Sequence, residues 1–206
     1  MLIQNKLAYR NAVFLSVTLG TLLITFSLLG GKEDLFLLLN GDLGNTADVF
    51  FHYITYLGDG IMWVPLTIFV YIYRKKYLPL VLSAIIISTL IVQVSKRYIF
   101  EKEARPTNSV TINKSNIHTV KGVELHSNNS FPSGHNTTAF CIYLIATLLV
   151  QKRYFWLGGF LAAAVTGYSR IYLAQHYPLD AGAGMIAAVI TISISSFIQG
   201  RYAKNE

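Results

Sequence analysis

Residues 13–30 form an 18-residue stretch without a charged side chain, preceded by Lys6 and Arg10. At 1.5 Å rise per residue, a helix of that length covers roughly 27 Å, close to the hydrocarbon thickness of a bilayer. Further apolar runs follow at 61–73, 78–94, 137–150, 154–168 and 179–198. The composition agrees: 53% of the residues are hydrophobic and only 13% charged, so disorder, a disulfide scaffold and a water-soluble fold are excluded. The single cysteine, Cys141, forms no intramolecular disulfide, and alone in an apolar run it makes no metal site. With 206 residues, one domain over 1–206 is expected.

The pattern predicts an all-α, polytopic membrane helix bundle of six transmembrane helices. A signal peptide is the rival reading of the first run, but Gly30–Gly31–Lys32–Glu33–Asp34 follows it instead of a small-residue cleavage pattern. Between the first two spans, segment 34–56 alternates apolar and polar residues in a way that suits one or two interfacial helices, ended by the turn Leu57–Gly58–Asp59–Gly60. Six spans put Lys6, Arg10, Arg74, Lys75, Lys76, Lys152, Arg153, Arg201 and Lys204 on one side with Glu206 as the sole acid. Basic loops stay cytoplasmic, so both termini are expected on the cytoplasmic side of the membrane. The net charge of +7 is therefore topological and implies no nucleic-acid partner.

Three polar clusters fall on the opposite side. The first closes the third span and runs from Lys96–Arg97 to Arg105–Pro106. The second, Pro132–Ser133–Gly134–His135, opens the fourth span. The third is Ser169–Arg170, five residues, His176, three residues, Asp180. Arginine forks at 105 and 170 suit phosphate oxygens, and Lys96 or Arg97 adds a charge. Ser133–Gly134 suits a helix N-cap where backbone N–H groups approach an anion. Pro178 favours the first helical position, which leaves His176 outside the helix and Asp180 in its first turn, able to orient the imidazole. A carboxylate-oriented imidazole with a second histidine as acid suits phosphoryl transfer through a phosphohistidine.

These motifs resemble the type 2 phosphatidic acid phosphatase family, which shares its site with the vanadium haloperoxidases. The resemblance implies His176 as nucleophile, Asp180 as its partner and His135 as the acid for the leaving group. It also implies phosphate binding by Arg105, Arg170, Ser133 and Gly134. The first motif departs from the family pattern: eight residues, not six, separate Lys96 from Arg105, and Tyr98 stands at the family spacing. Lys96 is assigned to the basic position, with Arg97 and Lys102 as alternatives.

Bland readings stand beside these. Pro132–Ser133–Gly134 alone is an ordinary helix start, Arg170 alone a snorkelling side chain, and Asp180 a first-turn acid facing the helix dipole. His118 and His126, in the polar loop 107–130, are expected to be solvated, His52 to be interfacial, and Asp59 to be a turn residue. Gly182 and Gly184 are expected to permit close helix packing.

The reading is a metal-independent lipid phosphatase that needs no cofactor, with its site on the periplasmic or extracellular side. Its partners are the membrane and a lipid phosphate or pyrophosphate of the phosphatidic acid, phosphatidylglycerophosphate, undecaprenyl pyrophosphate or lipid A class. Loop 107–130, with Lys114 and Lys121, is placed to meet a bulky headgroup. The alternatives are a lipid phosphotransferase using the same histidine and a non-catalytic lipid-phosphate binding or transport protein.

Overall fold

The computed structural model describes residues 6–150, 152 and 154–202, so Arg153, Lys204 and Glu206 of the sidedness argument lie outside the described residues. Among the described residues the chain is all-helical, without strands. The α-helices are α1 (Lys6–Gly30), α2 (Lys32–Leu39), α3 (Asn45–Ile54), α4 (Trp63–Tyr73), α5 (Leu78–Val94), α6 (Gly134–Leu149), α7 (Phe155–Tyr172) and α8 (Pro178–Tyr202). The two short helices α2 and α3 occupy the mixed segment after the first apolar run, and 3-10 turns at Thr55–Gly58 and Gly60–Met62 separate α3 from α4.

Local chemistry sets several boundaries. Pro79 sits in the first turn of α5, where its missing N–H costs nothing. Ser133 caps α6, its Oγ accepting from Asn136 N, and Pro178 opens α8. Helix α7 runs one turn past the apolar stretch that announces it and so carries Ser169 and Arg170 inside a helix.

Helix α8 is the hub and packs against α1, α5 and α6. A Cβ on Gly182 would lie 2.5 Å from Gly20 O, so α1 and α8 cross with no room for a side chain. The core between them holds Ala12, Val81, Ala84, Phe140, Leu144, Met185 and Ile192. Outward-facing Phe14, Leu29, Ile72, Ile86, Leu161 and Phe197 are exposed. An apolar exterior of this extent belongs against acyl chains.

On length and composition, three described helical stretches can cross a membrane: Lys6–Gly30, Lys75–Ile99 and Pro178–Tyr202. A fourth is counted if Asn45–Gly58 and Gly60–Tyr73, bent by 53°, are taken as one broken span. Helix α6 has only 16 residues, and α7 ends in the polar Ser169–Arg170 turn, so neither meets that measure alone. The six expected spans are thus recognised in part.

A buried amide ties the far ends of α5 and α8. Gln199 Oε1 accepts from Leu80 N at 3.1 Å, and its Nε2 donates to Lys76 O at 2.9 Å. Gln199→Leu leaves both backbone groups unpaired in an apolar setting, and a loss of about 1–3 kcal/mol is expected. Thermal unfolding of the detergent-solubilised protein measures it, and an unchanged midpoint would show the clamp to be idle.

Candidate active site

The second and third motifs are joined by backbone before any side chain is considered. Ser133 N donates to Asp180 O at 3.0 Å, linking the start of α6 to the first turn of α8. Gly184 reinforces the junction, because a Cβ there would stand 2.6 Å from Ser133 O. His176 and Asp180, four residues apart across the start of α8, meet with Nδ1 and Oδ2 at 3.3 Å, each side chain 2% exposed. The same Oδ2 accepts from Tyr177 N at 3.0 Å and from the Ser130 hydroxyl in a very short contact. Asp180 therefore has its lone pairs directed at fixed donors and holds Nδ1 of the ring, which leaves Nε2 as the free nitrogen.

Cations surround the ring. Arg105 is fastened by Nε to Asn128 O at 3.0 Å and by Nη1 to Gln175 O and Oε1 at 3.0 and 3.1 Å. Arg170, 8% exposed, uses Nη1 to reach Thr55 Oγ1 at 2.9 Å, and its Nε is buried without a partner. It does not snorkel. Helix α5 passes into a π turn at Ser95–Ile99, which takes about one residue more than an α turn. That turn and a following bend, with Lys102 at φ 61°, take up the eight-residue spacer before Arg105. Lys96 is left half-buried while Arg97 and Lys102 are exposed. Burial first, then the charges of Arg105, Lys96 and Arg170, hold the His176 imidazole well below its ordinary pKa. The ring is neutral at physiological pH, the form a nucleophile requires.

His135 lies in the first turn of α6, with Nε2 3.8 Å from Asp59 Oδ2. It lines a cavity of about 350 Å³ together with Arg170, Gln175, Thr55 and Asp59, roofed by Glu124 and His126 of loop 107–130. His176 is buried and is not part of the cavity wall. The arrangement thus brings together Lys96, Arg105, Ser133, His135, Arg170, His176 and Asp180, with Gly134 at the helix start between two of them.

Four contributors escape sequence reading. Thr55 and Ser130 are ordinary loop residues by type, and Gln175 lies inside the five-residue spacer, where adjacency to His176 is its sole signal. The fourth is His118, which is not solvated: its side chain is 13% exposed, and Nε2 lies 3.0 Å from Asp48 Oδ1. Tyr172 OH donates to that same oxygen at 2.6 Å, and Asn40 pairs with both the N–H and the carbonyl of residue 118. The loop is held down because the α2–α3 connection offers partners to its backbone. His126, by contrast, is exposed as expected, and His52 stacks edge-on against Tyr53 and Tyr56.

The family model of the PAP2 superfamily matches residues 76–202, the stretch that holds all three motifs. The chain belongs to the PAP2 superfamily. It is 29% identical over 172 residues to an undecaprenyl-diphosphatase of Sulfolobus acidocaldarius, covering 79% of each chain. A 71-residue stretch is 42% identical to the bacitracin transport permease protein BcrC of Bacillus licheniformis, 34% of either chain. Among solved structures it is similar to LpxE of Aquifex aeolicus, with a TM-score of 0.65 and 33% identity over 79% of this chain and 92% of that one. The family and these relatives support lipid phosphate hydrolysis by a membrane enzyme.

Two outcomes follow from the site of this PAP2 protein. Gln175→Ala releases the Arg105 fork from its carboxamide partner, so KM for a lipid phosphate should rise about tenfold, the worth of one charge-assisted hydrogen bond, with a smaller change in kcat. Steady-state kinetics check it. His176 is neutral when folded and takes up a proton once unfolded below about pH 6.5, so the unfolded state gains protons and stability falls as pH drops through that region. Unfolding midpoints at pH 7.5 and 5 should differ less in His176→Asn than in the parent protein.

Proposed function

We propose that this chain is a lipid phosphatase that removes the terminal phosphate from a lipid phosphate or pyrophosphate through a phosphohistidine at His176. The observation that carries the reading is the buried His176–Asp180 pair under the charges of Lys96, Arg105 and Arg170. Asp180 holds Nδ1, and Nε2 attacks phosphorus in line with the departing oxygen. Arg170, whose Nε lacks a protein partner, and Arg105 take the equatorial phosphoryl oxygens, aided by the N–H groups at the Ser133–Gly134 helix start. His135, protonated, gives its proton to the leaving oxygen and then serves as base for the water that hydrolyses the phosphohistidine. A phosphate in the 350 Å³ cavity meets Arg170 and His135 first, so reaction requires a side-chain displacement that admits it to His176.

The chain is read as one domain of six spans. Helices α6 and α7 cross with the bundle although short, both termini are cytoplasmic, and the site faces the periplasm or exterior of a bacterial cytoplasmic membrane. A pyrophosphate lipid leads the substrate list. The undecaprenyl-diphosphatase relative supports it, and Lys121 beside the cavity-lining Gly122 adds positive charge on the loop side. No divalent ion has a part in the steps above, because cationic side chains occupy the role it would fill.

The test is phosphate release from phosphatidic acid and undecaprenyl pyrophosphate by detergent-purified protein with EDTA present. Activity should persist in chelator, vanadate should inhibit as a five-coordinate mimic, and His176→Ala should lose about 10³-fold or more. Full activity of His176→Ala would end the mechanism. Transfer of the phosphoryl group to a second lipid without free phosphate would favour the phosphotransferase alternative.

A further inference from the structure

Asp59 belongs to none of the three motifs, and as a residue between two glycines it is accounted for by the turn. Its Oδ1 does cap that turn, accepting from Ile61 N at 2.9 Å. Its second oxygen is directed elsewhere, to His135 Nε2 at 3.8 Å. The turn lies in close contact with α6 and α7: a Cβ on Gly58 would lie 2.8 Å from His135 O and 3.1 Å from Thr166 Cγ2. The backbone between α3 and α4 is thus pressed onto the first turn of α6, which fixes the Asp59 carboxylate beside one imidazole.

Two cavities meet at this pair. Asp59 and His135 line both the 350 Å³ cavity that holds Arg170 and Gln175 and a second one of about 460 Å³ between α4, α5 and α6. The second cavity is lined by Trp63, Ile85 and Val92, with Ser88, Thr89 and Gln93. A lipid whose phosphate reaches Arg170 and whose chain lies between the helices has its scissile oxygen at this boundary. The charges that bear on His135 are Arg170, Lys96 and Arg105, all positive, with His176 also in range, and Asp59 as the one carboxylate among those named.

We infer that Asp59 is a positioning residue for the leaving-group acid: its carboxylate, 3.8 Å from His135 Nε2, opposes the burial and the three neighbouring cations that disfavour a protonated ring, so that His135 takes up its proton once an anionic phosphate is bound. The inference rests on the phosphatase reading given above. In the step concerned, the bond from His176 Nε2 to phosphorus forms as the bond from phosphorus to the lipid oxygen breaks. One proton passes from the His135 imidazolium to that oxygen, leaving a neutral imidazole, and Asp59 exchanges no proton in the step. The protonated ring is the working form, so the carboxylate extends activity to higher pH.

The experiment is the pH dependence of kcat for phosphate release from phosphatidic acid and undecaprenyl pyrophosphate by full-length Asp59→Asn, Asp59→Ser and Asp59→Glu. Asn and Ser both keep an oxygen for the Ile61 N–H and remove only the charge, whereas Glu keeps the charge. For Asn and Ser the alkaline limb should move to lower pH by about one pH unit, with activity above the limb down about tenfold, and Glu should keep most of the wild-type limb. A limb that stays in place in Asn and Ser, with activity unchanged or lowered equally at every pH, would overturn the inference and leave the phosphatase reading intact. A wild-type protein that releases no phosphate from either lipid would overturn the phosphatase reading, and this role would fall with it.

Discussion

The hydrogen bond from Ser133 N to Asp180 O is the contact on which the rest of the site depends. It joins the first turns of two helices that the chain reaches 47 residues apart, and Gly184 lets them approach until no side chain fits between. One junction therefore fixes three things together: the cap of α6 that presents the N–H groups, the position of His135, and the carboxylate that aims His176. Helix α8, packed on α1, α5 and α6, is the rigid element that carries the register.

Around this junction the charge is unbalanced by design of the sequence. Lys96, Arg105 and Arg170 converge on a region where Asp180 is already committed to His176, Ser130 and Tyr177 N. Buried cations without matching carboxylates are costly unless something anionic completes them. Arg105 is partly relieved by the Asn128 and Gln175 oxygens, and Arg170 by Thr55 on one nitrogen. What remains is the Arg170 Nε, buried without an acceptor in the protein, a donor that an anion would complete.

The loop that covers the cavity is held by the same economy of backbone pairing. Arg105 N donates to Ser127 O, Ser130 N to Glu103 O, and Gln175 Nε2 to Glu124 O. Asn40 and the His118–Asp48–Tyr172 group secure its other half. Loop and sequence motifs are thus one structure: Tyr172 stands two residues after Arg170, and Gln175 one before His176.

The sequence by itself determined the helical class, the bundle's apolar exterior, the starts of α6 and α8, and the residues of the three motifs. Those features are local: a charge-free run, an N-cap serine, a first-turn proline and a four-residue separation act over one or two turns of chain. The half-burial of Lys96 where Arg97 and Lys102 are exposed, the burial of His118, and the contacts of Thr55, Ser130, Gln175 and Asp59 were decided by tertiary structure. Arg170 finds Thr55 across 115 positions and Ser130 finds Asp180 across 50, and a threonine or serine announces no such partner by its type. Which basic residue after α5 is half-buried is set within a π turn, and which turn meets His135 depends on how closely Gly58 can dock. Both are properties of helices packed together, and they exist only once the bundle has formed.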